Sequence, residues 1–234
     1  MAALPAALLL LADPRTPAGG HGHSGGVEPA VFAGLVHDHA SLRSFLAGRL
    51  ATTGLVAAAV AAFACRADPP WALLDAEVDA RTPSVAQRAA SRAQGRGLLR
   101  AASAAWPSEV LAGLAGGTSG GTGGVSGRGA VVAAPHHAVV LGACAFVVGG
   151  TPHAAAALAA SASVTGPAWA AVRLLGLDPF GVHAVLASLA TRIDAVALAA
   201  AAAGHPADLP ARSAPVLDLL AELHPHQEVR LFES

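Results

Sequence analysis

The run Asp178-Pro179-Phe180-Gly181-Val182-His183-Ala184-Val185-Leu186-Ala187-Ser188-Leu189-Ala190-Thr191-Arg192-Ile193-Asp194-Ala195-Val196 decides the fold class. Asp178 followed by Pro179 is a helix start. The aspartate side chain can accept from the first free backbone N–H groups, and proline at the first helical position has no N–H to waste. Beyond it Val182, Val185, Leu186, Leu189, Ile193 and Val196 recur at steps of three and four. That is the period of a helix with one buried face, not the two-residue alternation of a strand. The spacing predicts a helix from Pro179 onward.

The same period extends in both directions. Leu42, Phe45, Leu46 and Leu50 continue past Thr52, Thr53 and Gly54 into Leu55, Val56, Val60 and Phe63. This is either one helix bent at Gly54 or two helices, closed by Pro69 and Pro70. Thr82-Pro83 predicts a second capped start, followed by Arg88, Arg92, Arg96 and Arg100 on one slowly drifting face. Ser213 and Pro215 open a last helix, with Val216, Leu219, Leu220 and Leu223 expected on one side. No run alternates with period two. The expected fold is therefore all-α, a single-domain helical bundle over residues 1–234. Glycine occupies nine of the seventeen positions 113–129, which reads as a flexible loop within that domain. Residues 12–28 read as a structured loop ahead of a helix that has Pro29 in its first turn.

Composition narrows the chemistry. Apolar residues make up 54% of the 234 but aromatics only 4%, so much of the core must be alanine. Alanine favours helix and buries little area per residue, which calls for close helix–helix contacts and favours dimerisation. All 14 basic residues are arginine. Without lysine, neither a Walker-type phosphate loop nor a Schiff-base centre can be built. A net charge of −1 supplies no basic face for nucleic acid. Cys65 and Cys144 have no partnering motif and read as small buried hydrophobes. Met1–Ala12 lacks a basic leader region. Ala130–Val148 is interrupted by Pro135, His136 and His137, which argues against a membrane span there. A cytoplasmic protein with no membrane partner is expected.

Eleven histidines include the pairs His21/His23, His37/His39, His136/His137 and His224/His226. None has the i, i+4 spacing of a rigid bidentate site, so His21, His23, His224 and His226 are weak metal candidates only. Ser24 lies near His21 and His23, but no nucleophile elbow or acid with triad spacing accompanies it. The arginine face from Arg88 to Arg100 is either solvated and paired with Asp75, Glu77 and Asp79, or a docking surface for an acidic partner. Reversing Arg92 and Arg96 together should leave binding unchanged on the first of these readings. At the C-terminus, Leu231 and Phe232 are too apolar for a frayed end. They must be buried in their own domain or, as we favour, in a partner, with Arg230 beside them.

Four blocks in chain order resemble one known family. They are Ala12-Asp13-Pro14-Arg15-Thr16-Pro17-Ala18-Gly19-Gly20-His21-Gly22-His23-Ser24-Gly25-Gly26-Val27-Glu28; Thr82–Leu99 with its Arg88-Ala89-Ala90-Ser91; Ser163–Leu177 with Ala170-Ala171-Val172-Arg173-Leu174-Leu175-Gly176-Leu177; and Pro215–Ser234 with its closing Arg230-Leu231-Phe232. Together they resemble the urease accessory proteins of the UreF family. The resemblance implies an all-α homodimer without catalysis or a cofactor of its own. It also implies binding to the UreD/UreH scaffold protein and the GTPase UreG, with delivery of nickel to the urease apoprotein. On that basis the expected partner-binding residues are Gly19, Gly20, His21, Ser24, Glu28, Arg173, Arg230, Leu231 and Phe232. The alternative is a metallochaperone that carries nickel on its own histidine pairs, and calorimetric titration with nickel separates the two.

Overall fold

The computed structural model describes residues 5–13, 15–16, 22–116, 134–226 and 231–232. Of the expected site residues, Gly19, Gly20, His21 and Arg230 lie outside them, as does most of the glycine-rich 113–129 segment. Among the described residues the chain is helical and no β-strand forms. The helices are α1 (Ala6–Ala12), α2 (Val27–Phe32), α3 (His39–Arg49), α4 (Leu55–Ala64), α5 (Trp71–Arg81), α6 (Val85–Ala105), α7 (Glu109–Gly116), α8 (His137–Val147), α9 (Pro152–Leu175), α10 (Pro179–Ser188), α11 (Ala190–Ala201) and α12 (Pro215–Leu223).

α4 lies at the centre, packed by α8, α9 and α11. Its residues Ala58, Ala59, Ala61, Ala62 and Ala64 are fully buried or nearly so. Small side chains let backbones approach. A Cβ on Gly142 of α8 would sit 2.3 Å from the Ala61 carbonyl oxygen and 2.6 Å from the Ala64 Cβ. Gly142→Ala should therefore push α8 off α4 and cost about 3 kcal/mol, the upper range for overpacking a rigid contact. Urea denaturation measures it, and an unchanged midpoint would contradict the close crossing. Cys65 and Cys144 are buried free thiols. Burial pushes them up to about 11 and about 12 respectively, so neither is a reactive thiolate at neutral pH.

The open question at Gly54 resolves into continuity. Residues 39–64 run as one helix, with a π-helical turn over Leu50–Gly54 inserted between α3 and α4. α9 contains Pro167, which has no N–H to donate to the carbonyl of Ser163 four residues back. Arg49, the last residue before the π turn, donates its Nε to that carbonyl at 2.9 Å. One side chain thus fills the gap in a neighbouring helix.

Two boundary expectations need correction. The start at Thr82-Pro83 moves two residues on, because Ser84 is the cap and its Oγ accepts from Gln87 N–H at 3.1 Å. The long helix after Asp178 is two, α10 and α11, bent by 45° at the break near Leu189. Ser188 Oγ donates back to Val185 carbonyl at 2.7 Å, a bond that competes with the helix ladder and favours a bend. Asp178 itself caps as expected, accepting from Phe180 and Gly181 N–H. In α12 the buried residues are Leu217, Leu220 and Ala221. Val216, Leu219 and Leu223, which share one side of the helix as expected, are 58–65% exposed, so most of that side faces outward. Among the described residues, 39–64 and 152–175 are each long and apolar enough to cross a membrane and half buried inside the domain, and the bent pair α10–α11 would qualify if taken as one span.

Candidate functional site

α2 begins after Gly25 and Gly26, both with positive φ (58° and 85°). A Cβ on Gly25 would also meet Pro167 Cγ at 2.8 Å, so glycine is required there twice over. The turn delivers Glu28, in the first turn of α2, to the interior. Glu28 is completely buried, a position that costs several kcal/mol for a carboxylate unless its oxygens are bonded. They are. Oε2 is 2.8 Å from His224 Nε2, and with Glu28 ionised that nitrogen must carry the proton. Leu231 N–H donates to Oε1 at 2.7 Å and Phe232 N–H to Oε2 at 3.1 Å. The Phe232 ring is buried beneath the Arg173 guanidinium, 4.5 Å from the ring centroid, a cation–π contact worth about 0.5–2 kcal/mol.

Glu28, Arg173, Leu231 and Phe232, all expected to bind partners, therefore meet at one place with His224. The contacts join residues up to 204 positions apart. They correct the expectation for Phe232, whose ring is buried in its own domain. Leu231 remains 61% exposed. Leu231 and Phe232 sit in a bend, where two successive N–H groups reach one carboxylate and only the Phe232 side chain is buried. Ser24 is fully buried, and its Oγ makes no hydrogen bond among the described residues. Among the described residues no base is hydrogen-bonded to it.

Among the described residues, one group of three potential metal ligands has its donor atoms within 4.8 Å of one another: Asp75, Asp79 and His136. None was singled out as a ligand from the sequence, and neither His23 nor His224 belongs to such a group. The set is already saturated. Arg92 Nη1 lies 2.9 Å from Asp75 Oδ2 and Nη2 lies 2.7 Å from Asp79 Oδ2. His136 backbone N–H donates to Asp75 Oδ1, and its Nε2 lies 2.9 Å from Asp79 Oδ1. Arg92 also donates to the Ala134 carbonyl at 2.7 Å. Burial works against an ionised Asp79, but the His136 hydrogen bond and the Arg92 charge hold its carboxyl below the usual value. Burial lowers His136, with the Asp79 bond opposing. The network ties α5 and α6 to the start of α8. It also splits the arginine face: Arg92 and Arg88 turn inward to carboxylates and carbonyls, while Arg96 and Arg100 are exposed.

His137 is held down to about 4 by burial and secondarily by His23. Its unfolded value is near 6.5, so below that pH the unfolded chain takes up a proton that the folded chain refuses. Stability should fall as pH drops from about 6.5 towards 4, by up to about 3 kcal/mol from this group. His137→Gln should flatten that part of the stability–pH curve measured by urea denaturation. An unchanged slope would show that the ring is not desolvated.

The chain's resemblance to known proteins agrees with this geometry. The family model for UreF matches residues 36–190. Urease accessory proteins UreF from Mycobacterium sp. (strain JLS), Mycolicibacterium vanbaalenii and Mycobacterium marinum are similar at 47%, 46% and 44% identity. The alignments cover 97–98% of this chain and the same share of each relative. With the family model matching residues 36–190 and relatives 44–47% identical over nearly the full chain, the chain belongs to the UreF family of urease accessory proteins.

Proposed function

We propose that this chain acts in urease maturation as an adaptor subunit with no catalytic chemistry of its own, working in the cytoplasm and away from the membrane. It assembles with a UreD/UreH-type scaffold and the GTPase UreG, as a homodimer, to bring nickel to the urease apoprotein. The observation that carries this reading is the C-terminal segment. Its backbone is fastened internally by Glu28, while Leu231 and the outer face of α12 (Val216, Leu219 and Leu223) stay exposed. A rigidly held apolar surface loses little entropy on association, which suits docking. Phe180, 86% exposed on α10, and Leu198, 69% exposed on α11, are apolar surface of the kind a homodimer would cover. Arg230, beside the tail, and the Gly19–His21 segment remain part of the proposed contact surface.

Co-purification tests it. Deleting residues 230–234, or replacing Leu219 and Leu223 with Asp, should abolish recovery of the UreD/UreH-type scaffold while leaving the helical circular dichroism spectrum intact. Full recovery with both variants would remove the tail and α12 as the docking surface.

A further inference from the structure

A cavity of about 190 Å³ lies between the Gly25–Gly26 turn, the π turn, α5, α6, the start of α8, and α12 with the loop before it. Its wall includes Arg49, Arg81, Arg212, Thr53, His137 and Asp218. The three guanidinium groups are not equivalent. Arg81 is fully engaged: Nε and Nη2 donate to the carbonyls of Pro210 and Leu209 at 3.1 Å each, and Nη1 is paired with Glu77. Arg49 commits only Nε, to the Ser163 carbonyl. Filling the gap left by Pro167 accounts for that one donor and leaves both Nη groups without a hydrogen bond among the described residues. Arg212, exposed at the cavity's edge, makes no hydrogen bond or ion pair with any described residue.

Neither Arg49 nor Arg212 is ion-paired with a described carboxylate, and the wall holds one such group. The sole carboxylate there is Asp218, whose affinity for a proton is raised by burial, with the Glu222 charge adding to it and hydrogen bonding at Ser84 opposing. His137 is neutral at physiological pH. Burial lowers Arg49 to about 10, the signature of a cation withdrawn from water without a counter-charge. The backbone is also unusual here. Arg49 leads directly into the π turn Leu50–Gly54, a rare geometry frequent at functional sites, and Thr53 of that turn faces the cavity. Gly25 keeps space open beside Arg49, since its Cβ would lie 3.4 Å from Nη2.

We propose that this cavity binds one small oxyanion of the phosphate or carboxylate class, held by the uncommitted Nη groups of Arg49 inside and by the Arg212 guanidinium at the edge. Planar guanidinium forks match such oxygens, and charge-assisted bonds to them are the strong ones. The cavity touches the inner side of α12, but none of the residues of the Glu28 tail contact or of the docking surface proposed above lines it. The full-length protein should be titrated calorimetrically with sodium phosphate and with sodium acetate at constant ionic strength, chloride serving as the reference anion. One saturable site per chain is expected for phosphate, acetate or both, and the preference between them identifies the class. Arg212→Gln should weaken it about tenfold or more, the scale of one charge-assisted contact, whereas Arg43→Gln, on an exposed position of α3, should not. Arg49→Gln should abolish binding; if that variant does not fold, Arg212→Gln decides. Absence of saturable binding above chloride, or equal affinity in Arg212→Gln, would overturn the proposal.

Discussion

Glu28→Ala should lower the melting temperature by about 10 °C and free the C-terminal tail. The substitution removes the carboxylate that pairs with His224 Nε2 and accepts from Leu231 N–H and Phe232 N–H, all buried or part-buried. Each unsatisfied donor costs about 1–3 kcal/mol. The tail can escape part of that cost by undocking into water, at the expense of Phe232's burial and its contact with Arg173. A net loss of about 3 kcal/mol is expected, and a chain of this size shifts by about 2–4 °C per kcal/mol. Glu28→Gln should fall between the two, because its carbonyl oxygen keeps one acceptor while its amide presents donors to donors. Carboxypeptidase digestion provides the second readout: residues 231–232 should be trimmed from the Ala variant much faster than from the native chain. Native-like melting together with a protected tail would contradict the role assigned to Glu28.

Arg92→Ala should be at least as damaging, costing about 3–5 kcal/mol in urea denaturation, the range for removing one partner of a buried ion pair. A single guanidinium neutralises both Asp75, whose side chain is 8% exposed, and Asp79. Removing it leaves two adjacent carboxylates and strips a donor from the Ala134 carbonyl. Arg96→Ala, on the same helix but exposed, should change stability by no more than about 0.5 kcal/mol. The pair of variants separates the two halves of the arginine face. The sign with pH follows from Asp79. Its carboxyl is held below the ordinary value, so its contribution is full above that value and is lost as pH falls through the folded one. The Arg92→Ala variant should therefore lose less stability than the native chain on acidification below pH 4. Equal costs for Arg92→Ala and Arg96→Ala would mean that the network does not bear on stability. It follows that the double reversal of Arg92 and Arg96 cannot test docking, since it disrupts the fold. Arg96 and Arg100 alone can be used for that purpose.

These contacts also delimit what could be read without coordinates. Asp178-Pro179 announced its helix because a cap is a local device: the aspartate, the proline and the N–H groups it serves lie within four residues. The alanine-rich composition announced close packing for the same kind of reason, since side-chain size is a property of each residue alone. The sequence by itself thus determined an all-α chain, the absence of lysine chemistry and, through four ordered blocks, membership of the UreF family. Only the tertiary structure decided which donors meet which acceptors. Glu28 and Phe232 are 204 positions apart, and Arg49 and Ser163 are 114 apart. Hydrophobic period says which face of a helix turns inward, but it does not say what that face will touch. In α12 the spacing places Val216, Leu219 and Leu223 on one side, but that this side faces outward depends on how α2 and α6 pack against the helix. Partner choice in a buried polar network is set by three-dimensional proximity, and no local pattern encodes it.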